Sequence, residues 1–383
     1  MTLVIDIHAL QTVPPSLINR DDTGAPKSAI FGGVPRQRVS SQAWKRAIRR
    51  YFENEIGGEA VGQRSKNLPE VIAKRVIELS PEFGLEEAIE GVRKLFKATA
   101  TPKHKKGIQF QEVKTSKSND ASEQQSPYPT TAALLFLSPH QIERAAQAIV
   151  DADGEKITKA EATDILDTKH SVDMAMFGRM LADAPAFNID ASVQVAHAIG
   201  VHESEPEFDY YTAVDDVLED AEEIGAGMIG TTQMMSSTLY RFATINVEGL
   251  ATNLGNIDMA NKAAVLFIKA FIESMPTGKQ NTFANNTLPE LVYVAVRNTR
   301  SVSLVNAFED PVGREDSTRR RAAAEALAQE ARDIEDVYGM KPLAAYVLAT
   351  GELGEPFSGL AENVTFQKLS EKVGEVLATA KVE

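Results

Sequence analysis

The sequence predicts an α+β fold whose strand layer is assembled from segments far apart in the chain. Three observations predict it. Apolar and polar residues alternate in Leu3 to Leu10, and Ser237 to Val247, Leu291 to Asn298 and Ala344 to Thr350 also read as strands. Apolar residues recur three and four apart in Pro69 to Leu79, Leu85 to Ala98 and Gln141 to Ala152, as amphipathic helices require. Long insertions, not regular crossover helices, separate the strand segments, so the helices form a unit of their own.

Taken in chain order, Leu3 to Leu10 is the first strand, and Pro14-Pro15 to Phe31 is a loop long enough to carry function. Gly32-Gly33 would let main chain approach a ligand closely. Val34 to Ser40 reads as a strand carrying Arg36 and Arg38 on one face, and Ser40 and Ser41 are N-cap candidates for the helix that follows. In that helix Trp44, Ala47, Ile48, Tyr51 and Phe52 share the spacing of a buried face, leaving Lys45, Arg46, Arg49 and Arg50 on the polar side. From about residue 57 to 168 the chain is helical. Within it, residues 101–128 are rich in Lys, Ser, Gln and Pro and read as a loop, whose Lys103, Lys105, Lys106, Lys114 and Lys117 are either a second basic element or a soluble tip.

Between Arg179 and Arg241 there is no Lys or Arg. Ser192 to His202 alternates as a strand there, and Asp209 to Val214 carries two tyrosines before an acidic run, a pattern that fits a protruding hairpin. Ile257 to Met275, Ser317 to Tyr338 and Phe366 to Lys381 read as the remaining helices.

Charge is the most informative part of the composition. Among 383 residues, 54 acids outweigh 40 bases for a net charge of −14, yet Thr23 to Phe52 holds seven bases and no acid. Lys27, Arg36, Arg38, Lys45, Arg46, Arg49 and Arg50 thus form a local inversion suited to tracking phosphates, with the helix N-terminus at Ser40, Ser41 and Gln42 able to hold one. The same pattern also describes a solvated amphipathic helix. The absence of cysteine excludes disulfides, thiolate catalysis and Cys-ligated zinc. Met1 to Leu10 has neither the basic start nor the length of a signal peptide or membrane helix, so the expectation is a cytoplasmic protein without membrane contact.

Several motifs fail their context. Gly225, Gly227 and Gly230 match GxGxxG, but an acidic segment precedes them and no crossover helix can follow before the next strand. Asp151 to Glu155 imitates a calcium loop, but with Gly154 at the sixth position the first and twelfth ligands would be Ile149 and Ala160. No histidine pair has metal-clasping spacing, and no serine sits in GxSxG. Asp21-Asp22 beside a basic surface either holds a divalent ion that cuts phosphodiesters or pairs with Arg20 or Lys27 and orients the loop.

Eight segments together resemble the CasC family, the backbone subunit of the type I-E CRISPR surveillance complex Cascade. They are NRDD (Asn19 to Asp22), AIFGG (Ala29 to Gly33), RVSSQAWKRAIR (Arg38 to Arg49), GRM (Gly178 to Met180), AHAI (Ala196 to Ile199), TAVDD (Thr212 to Asp216), YRFATIN (Tyr240 to Asn246) and NAFE (Asn306 to Glu309). The resemblance implies a hand-shaped α+β protein. Its palm would be a sheet like an RNA-recognition motif or ferredoxin (1–57 and 225–383), with helical fingers at 58–180 and a β-hairpin thumb at 190–224. Copies would stack along one CRISPR RNA and present it in segments to target DNA, alongside other Cascade subunits, with no cofactor and no catalysis. By the resemblance Arg20, Lys27, Ser40, Gln42, Lys45, Arg46 and Arg49 would hold phosphates and sugars, joined on pattern grounds by Arg36, Arg38 and Ser41. Met180, Tyr210, Tyr211, Thr212 and Val214 would wedge or stack at bases, although the tyrosines alternatively pack the thumb root. The competing expectation is an RNA-cleaving backbone like that of type III complexes, using Asp21 or Asp22.

Overall fold

The computed structural model describes residues 3–111, 126–213, 228–313 and 318–380. The chain begins with β1 (Val4–Ser16), β2 (Ser28–Phe31), β3 (Val34–Val39), α1 (Ser41–Ile56), β4 (Gln63–Ser65), α2 (Leu68–Leu79), α3 (Leu85–Ala98), β5 (Leu135–Leu137), α4 (Pro139–Ala152), α5 (Lys159–Leu166) and α6 (Val172–Phe177). It continues with β6 (Val193–Val195), β7 (Ala198–Gly200), β8 (Glu207–Ala213), β9 (Met228–Asn246), α7 (Val247–Leu254), α8 (Ile257–Glu273), α9 (Gln280–Phe283), β10 (Leu291–Arg297), α10 (Arg319–Tyr338), β11 (Ala344–Ala349), β12 (Glu362–Asn363) and α11 (Phe366–Thr379). Two compact units result. One comprises Met1–Tyr51, Val193–Glu248 and Asn261–Glu383; the other comprises Phe52–Ser192 and Gly249–Ala260.

The first unit is built on a ten-stranded sheet in the order β12-β11-β10-β1-β9-β7-β3-β2, with β6 and β8 also paired to β9. Its strand pairings among the described residues are antiparallel except that of β11 with β12. Val4 to Leu10 pairs with β10 on one side and β9 on the other, which makes β1 the centre of the sheet. Helices cover both faces. Asp6 and His8, which alternation alone would turn to solvent, are wholly buried on the face covered by Ala323, Ala324, Leu327 and Ala328 of α10.

Those two polar residues survive burial because each has a partner. Asp6 Oδ2 accepts from Val302 N–H at 2.9 Å and lies 3.2 Å from Arg297 Nε. His8 Nδ1 is hydrogen-bonded to the Tyr240 hydroxyl at 2.9 Å, and that hydroxyl also accepts from Leu304 N–H at 3.0 Å. Burial, aided by the nearby Arg297 charge, pushes the His8 pKa from 6.5 down to about 3. The native imidazole therefore stays neutral while the unfolded one protonates below 6.5, so this contribution is intact above 6.5 and is lost as pH falls towards 3. Chemical unfolding should show about 2 kcal/mol less stability from His8 at about pH 5 than at neutrality. The difference between native protein and His8→Gln across that window isolates it, because Asp6, raised by burial, acts with the opposite sign; an unchanged pH slope in the variant would refute the assignment.

The second unit is helical around Leu68, Ile72, Val76, Val92, Leu95, Phe96, Ile142 and Ile149, with the short β4–β5 pair alongside. Capping boxes fix two helix starts. Ser138 and Gln141 exchange side-chain and backbone hydrogen bonds at the head of α4, and Thr158 and Glu161 do so at α5. Asp153 and Gly154, at φ 41° and 81°, make the turn between these helices that the failed calcium motif left as the alternative. Among the described residues no helix is long and apolar enough to cross a membrane.

Three expectations about elements need correcting. The segment expected to be a loop from Pro14 to Phe31 contains the end of β1 and the whole of β2. Ser192 to His202 is two short strands interrupted at Ala196 and His197, both paired to β9 within the large sheet. Residues 193–200 therefore do not belong to the 190–224 hairpin, whose described strands are β8 and the start of β9; likewise residues 249–260 fall in the second unit, not with the rest of 225–383.

Candidate nucleic-acid interface

Helix α1 begins where Ser40 caps it: the Ser40 hydroxyl accepts from Ala43 N–H at 3.3 Å, and Ser40 N–H donates to Asn19 Oδ1 at 2.9 Å. Ser40 is buried by this work, so its hydroxyl serves the helix and not a ligand; Ser41 is half-buried and Gln42 exposed. The apolar stripe of α1 is in place, with Trp44, Ala47, Ile48 and Phe52 buried. On the opposite side Arg46 and Arg50 are exposed and Lys45 and Arg49 half-exposed, which leaves a cationic face on a helix with no acid in its first turn.

What holds this helix is a buried cation. Arg241, opposite Ala9 in the sheet, lies with its guanidinium 3.7 Å from the Trp44 ring centroid and 4.3 Å from that of Phe271 in α8. It donates to Gln11 Oε1 at 2.6 Å and to Phe271 O at 2.5 Å. Burial lowers its pKa to about 9, so it is still charged at neutral pH. Sequence reasoning placed Arg241 only as the end of a base-free stretch; no local signal marks it as the anchor of α1.

The loop before β2 is shaped by its own polar groups. Asp21 Oδ1 accepts from the Thr23 hydroxyl at 2.8 Å, Thr23 N–H at 2.9 Å and Ala25 N–H at 3.0 Å, and these bonds, the hydroxyl first, hold its pKa below the ordinary carboxylate value. Asp21 thus orients the loop through Thr23 and Ala25, not through Arg20 or Lys27. Arg20 is exposed and bridges to Pro26 across the loop, while Lys27 is half-buried, its backbone bonded to Asn19 and Arg38.

Two expectations fail here for physical reasons. Arg36 is 0% exposed: its guanidinium donates to Gly200 O at 2.9 Å and to Phe308 O and Glu309 O at 3.2 Å each, so it ties β3 to distant backbone and offers nothing to a phosphate. Gly32 and Gly33, at φ 59° and 81°, form the two-residue turn of the β2–β3 hairpin, and a Cβ on Gly32 would stand 1.6 Å from Glu309 O. The glycines serve that turn and that close approach, not a ligand. Arg38 differs from Arg36. It is half-exposed, with Nε 3.4 Å from Ser28 O and Nη1 3.1 Å from Nδ1 of the exposed His197.

The β8–β9 hairpin exposes aromatic surface. Tyr210 is 63% exposed and shares its face with Phe208, at 70%, and Thr212; Phe208 was not expected. Tyr211 points to the other face, where its ring lies over Gly230 so closely that a Cβ there would be 2.4 Å from it. Tyr211 thus packs partly on the hairpin itself while staying 42% exposed, and Tyr210 is the more open ring. Val214 and the acidic pair Asp215 and Asp216 lie outside the described residues, as do Lys114 and Lys117 of the lysine-rich loop. Tyr210→Ala should leave the melting temperature unchanged but weaken single-stranded RNA binding by about 1–3 kcal/mol, measured by fluorescence anisotropy; unaltered binding would remove Tyr210 from the interface.

In the second unit Met180 is 80% exposed. It follows Arg179, whose buried guanidinium donates to Leu166 O at 2.7 Å and Phe187 O at 3.0 Å, and Gly178, where a Cβ would meet Ile189 O at 2.7 Å. A large apolar side chain is thus presented to solvent from a tightly held segment.

Comparison with known proteins gives this geometry a context. The chain is similar to a subunit of a solved complex described as "CRISPR RNA-guided surveillance complex, pre-nicking", at 32% identity and a TM-score of 0.84, covering 98% of this chain and 100% of that one. A second solved chain, from a "CRISPR RNA-guided surveillance complex", matches at 28% identity and a TM-score of 0.73 with the same coverage. No curated protein matches. The family model of the CT1975-like Cas proteins matches residues 5–372, so the chain belongs to the CT1975-like protein family.

Proposed function

We propose that this protein is the guide-binding backbone subunit of a type I-E CRISPR surveillance complex, cytoplasmic and without catalytic activity of its own. Copies stack along one CRISPR RNA and present it for pairing with target DNA, next to other subunits of the complex. In this reading the first unit is the palm, the second the fingers, and the β8–β9 hairpin the thumb that crosses the guide beside a base.

The observation that carries the reading is the cationic face of α1, Lys45, Arg46, Arg49 and Arg50, displayed by a protein of net charge −14. A scaffold that must accept any guide needs affinity for ribose-phosphate without base readout, which cations on a rigid helix supply. The complexes containing the similar solved chains are RNA-guided, which is the same requirement. Against the cleaving alternative stands Asp21, whose carboxylate already accepts three bonds from its own loop.

The chain expressed with a CRISPR RNA should purify with nuclease-protected RNA of no preferred sequence and, with magnesium, should leave a complementary RNA intact. Purification free of RNA would overturn the binding role, and cutting that disappears in Asp21→Ala or in Asp22→Ala would overturn the non-catalytic one.

A further inference from the structure

His197 belongs to neither α1 nor the hairpin, yet it sits among cations. It lies in the break between β6 and β7, exposed, with Nδ1 3.1 Å from Arg38 Nη1. An arginine can only donate, so Nδ1 is the acceptor and the neutral ring carries its proton on Nε2. Strand pairing fixes the arrangement: Arg38 and Val39 are registered with Ile199 and Ala198, and Arg38 N–H donates to Lys27 O at 2.9 Å. Lys27 itself is held by Asn19 O at 3.0 Å. Arg38 and His197 thus meet side chain to side chain, Lys27 is tied to Arg38 through the main chain, and the charges of Arg38 and Lys27 both act on the ring.

We infer that Lys27, Arg38 and His197 form a phosphodiester clasp, in which His197 positions Arg38 when empty and becomes a third cationic donor when a phosphate docks. The inference rests on the RNA-binding reading above and adds to it a proton-linked contact. Without ligand, partial burial and then the charges of Arg38 and Lys27 keep the imidazole below its ordinary pKa, so it is neutral near pH 7. A phosphate between the three groups reverses the balance: Arg38 turns to the anion, Nδ1 is freed, and the ring takes one proton from solvent. Binding and protonation then favour each other, because any pKa raised by the ligand is affinity gained at low pH.

The test measures the dissociation constant of the full-length chain for labelled single-stranded RNA of mixed sequence between about pH 8 and about pH 6, at fixed ionic strength. The native chain should bind several-fold more tightly at the acidic end, short of the tenfold limit that one unit of ligand-induced pKa shift gives below the free-state pKa. His197→Gln, which keeps a donor and an acceptor but cannot protonate, should bind with no such slope and an unchanged melting temperature. Arg38→Gln should lose both affinity and slope. A slope that persists in His197→Gln overturns the clasp while leaving the RNA-binding role intact; a native chain that binds no RNA at any pH overturns both.

Discussion

Replacing Lys45, Arg46 and Arg49 together by glutamine should abolish guide loading while the protein remains folded. The buried side of α1 is untouched by these changes, since Trp44, Ala47 and Ile48 fill it, and glutamine is as good a helix former as lysine or arginine. Each cation that neutralises a phosphate contributes about 0.7 to the dependence of log affinity on log salt for a single strand, so three together should reduce that slope by about 2. Binding weakened equally for unrelated RNA sequences identifies backbone contacts. Undiminished RNA recovery from the triple variant, with circular dichroism matching the native protein, would refute the assignment of α1 to the interface.

Arg241→Ala should do the converse, unfolding the protein more readily by about 3 kcal/mol or more in urea titration. The truncation leaves Gln11 Oε1 and Phe271 O without their donor and empties the space between Trp44 and Phe271. It also removes a desolvated cation–π contact, for which about 2 kcal/mol is a reasonable magnitude. Relief from burying a charge whose hydrogen-bond acceptors, Gln11 Oε1 and Phe271 O, are both neutral acts in the other direction and keeps the loss from being larger. Lysine is no remedy, because it cannot lie flat between two rings while reaching both acceptors. Stability within experimental error of the native protein would show that α1 is held by its apolar stripe alone. The two variants thus separate the helix's outer function from its inner anchorage: the first loses RNA and keeps stability, the second loses stability first.

Much of the fold was legible in sequence where periodicity and burial agree. α3 begins and ends at Leu85 and Ala98 as the spacing predicts, and α2, α4, α8, α10 and α11 are displaced by only a few residues at their ends. β2 was missed because its four residues at the sheet edge have no buried face to create a pattern. Asp6 and His8 misled because alternation reports two different faces, not which one is wet, and α10 covers the face they share. The cationic face of α1 was visible as a local reversal of charge. Arg36 was not distinguishable from Arg38 because its acceptors, Gly200 O, Phe308 O and Glu309 O, are backbone atoms more than a hundred residues away. His197 and Arg241 were invisible for the same reason: their neighbours are set by strand register, and single-sequence patterns carry no register between distant strands.

β9 is one uninterrupted strand of 19 residues that begins in the exposed hairpin and ends beside β1. At about 3.3 Å per residue it is a strut of up to about 60 Å, paired with β8 from Met228 to Met234 and with β1 from Met235 on, with a register shift between Val13 and Ser16 of β1 where the two pairings meet. A contact made by the hairpin start of β9 is thus carried to the middle of the sheet by one continuous main chain, so the described strands can act as a spacer with the stiffness of paired strands, not of a loop.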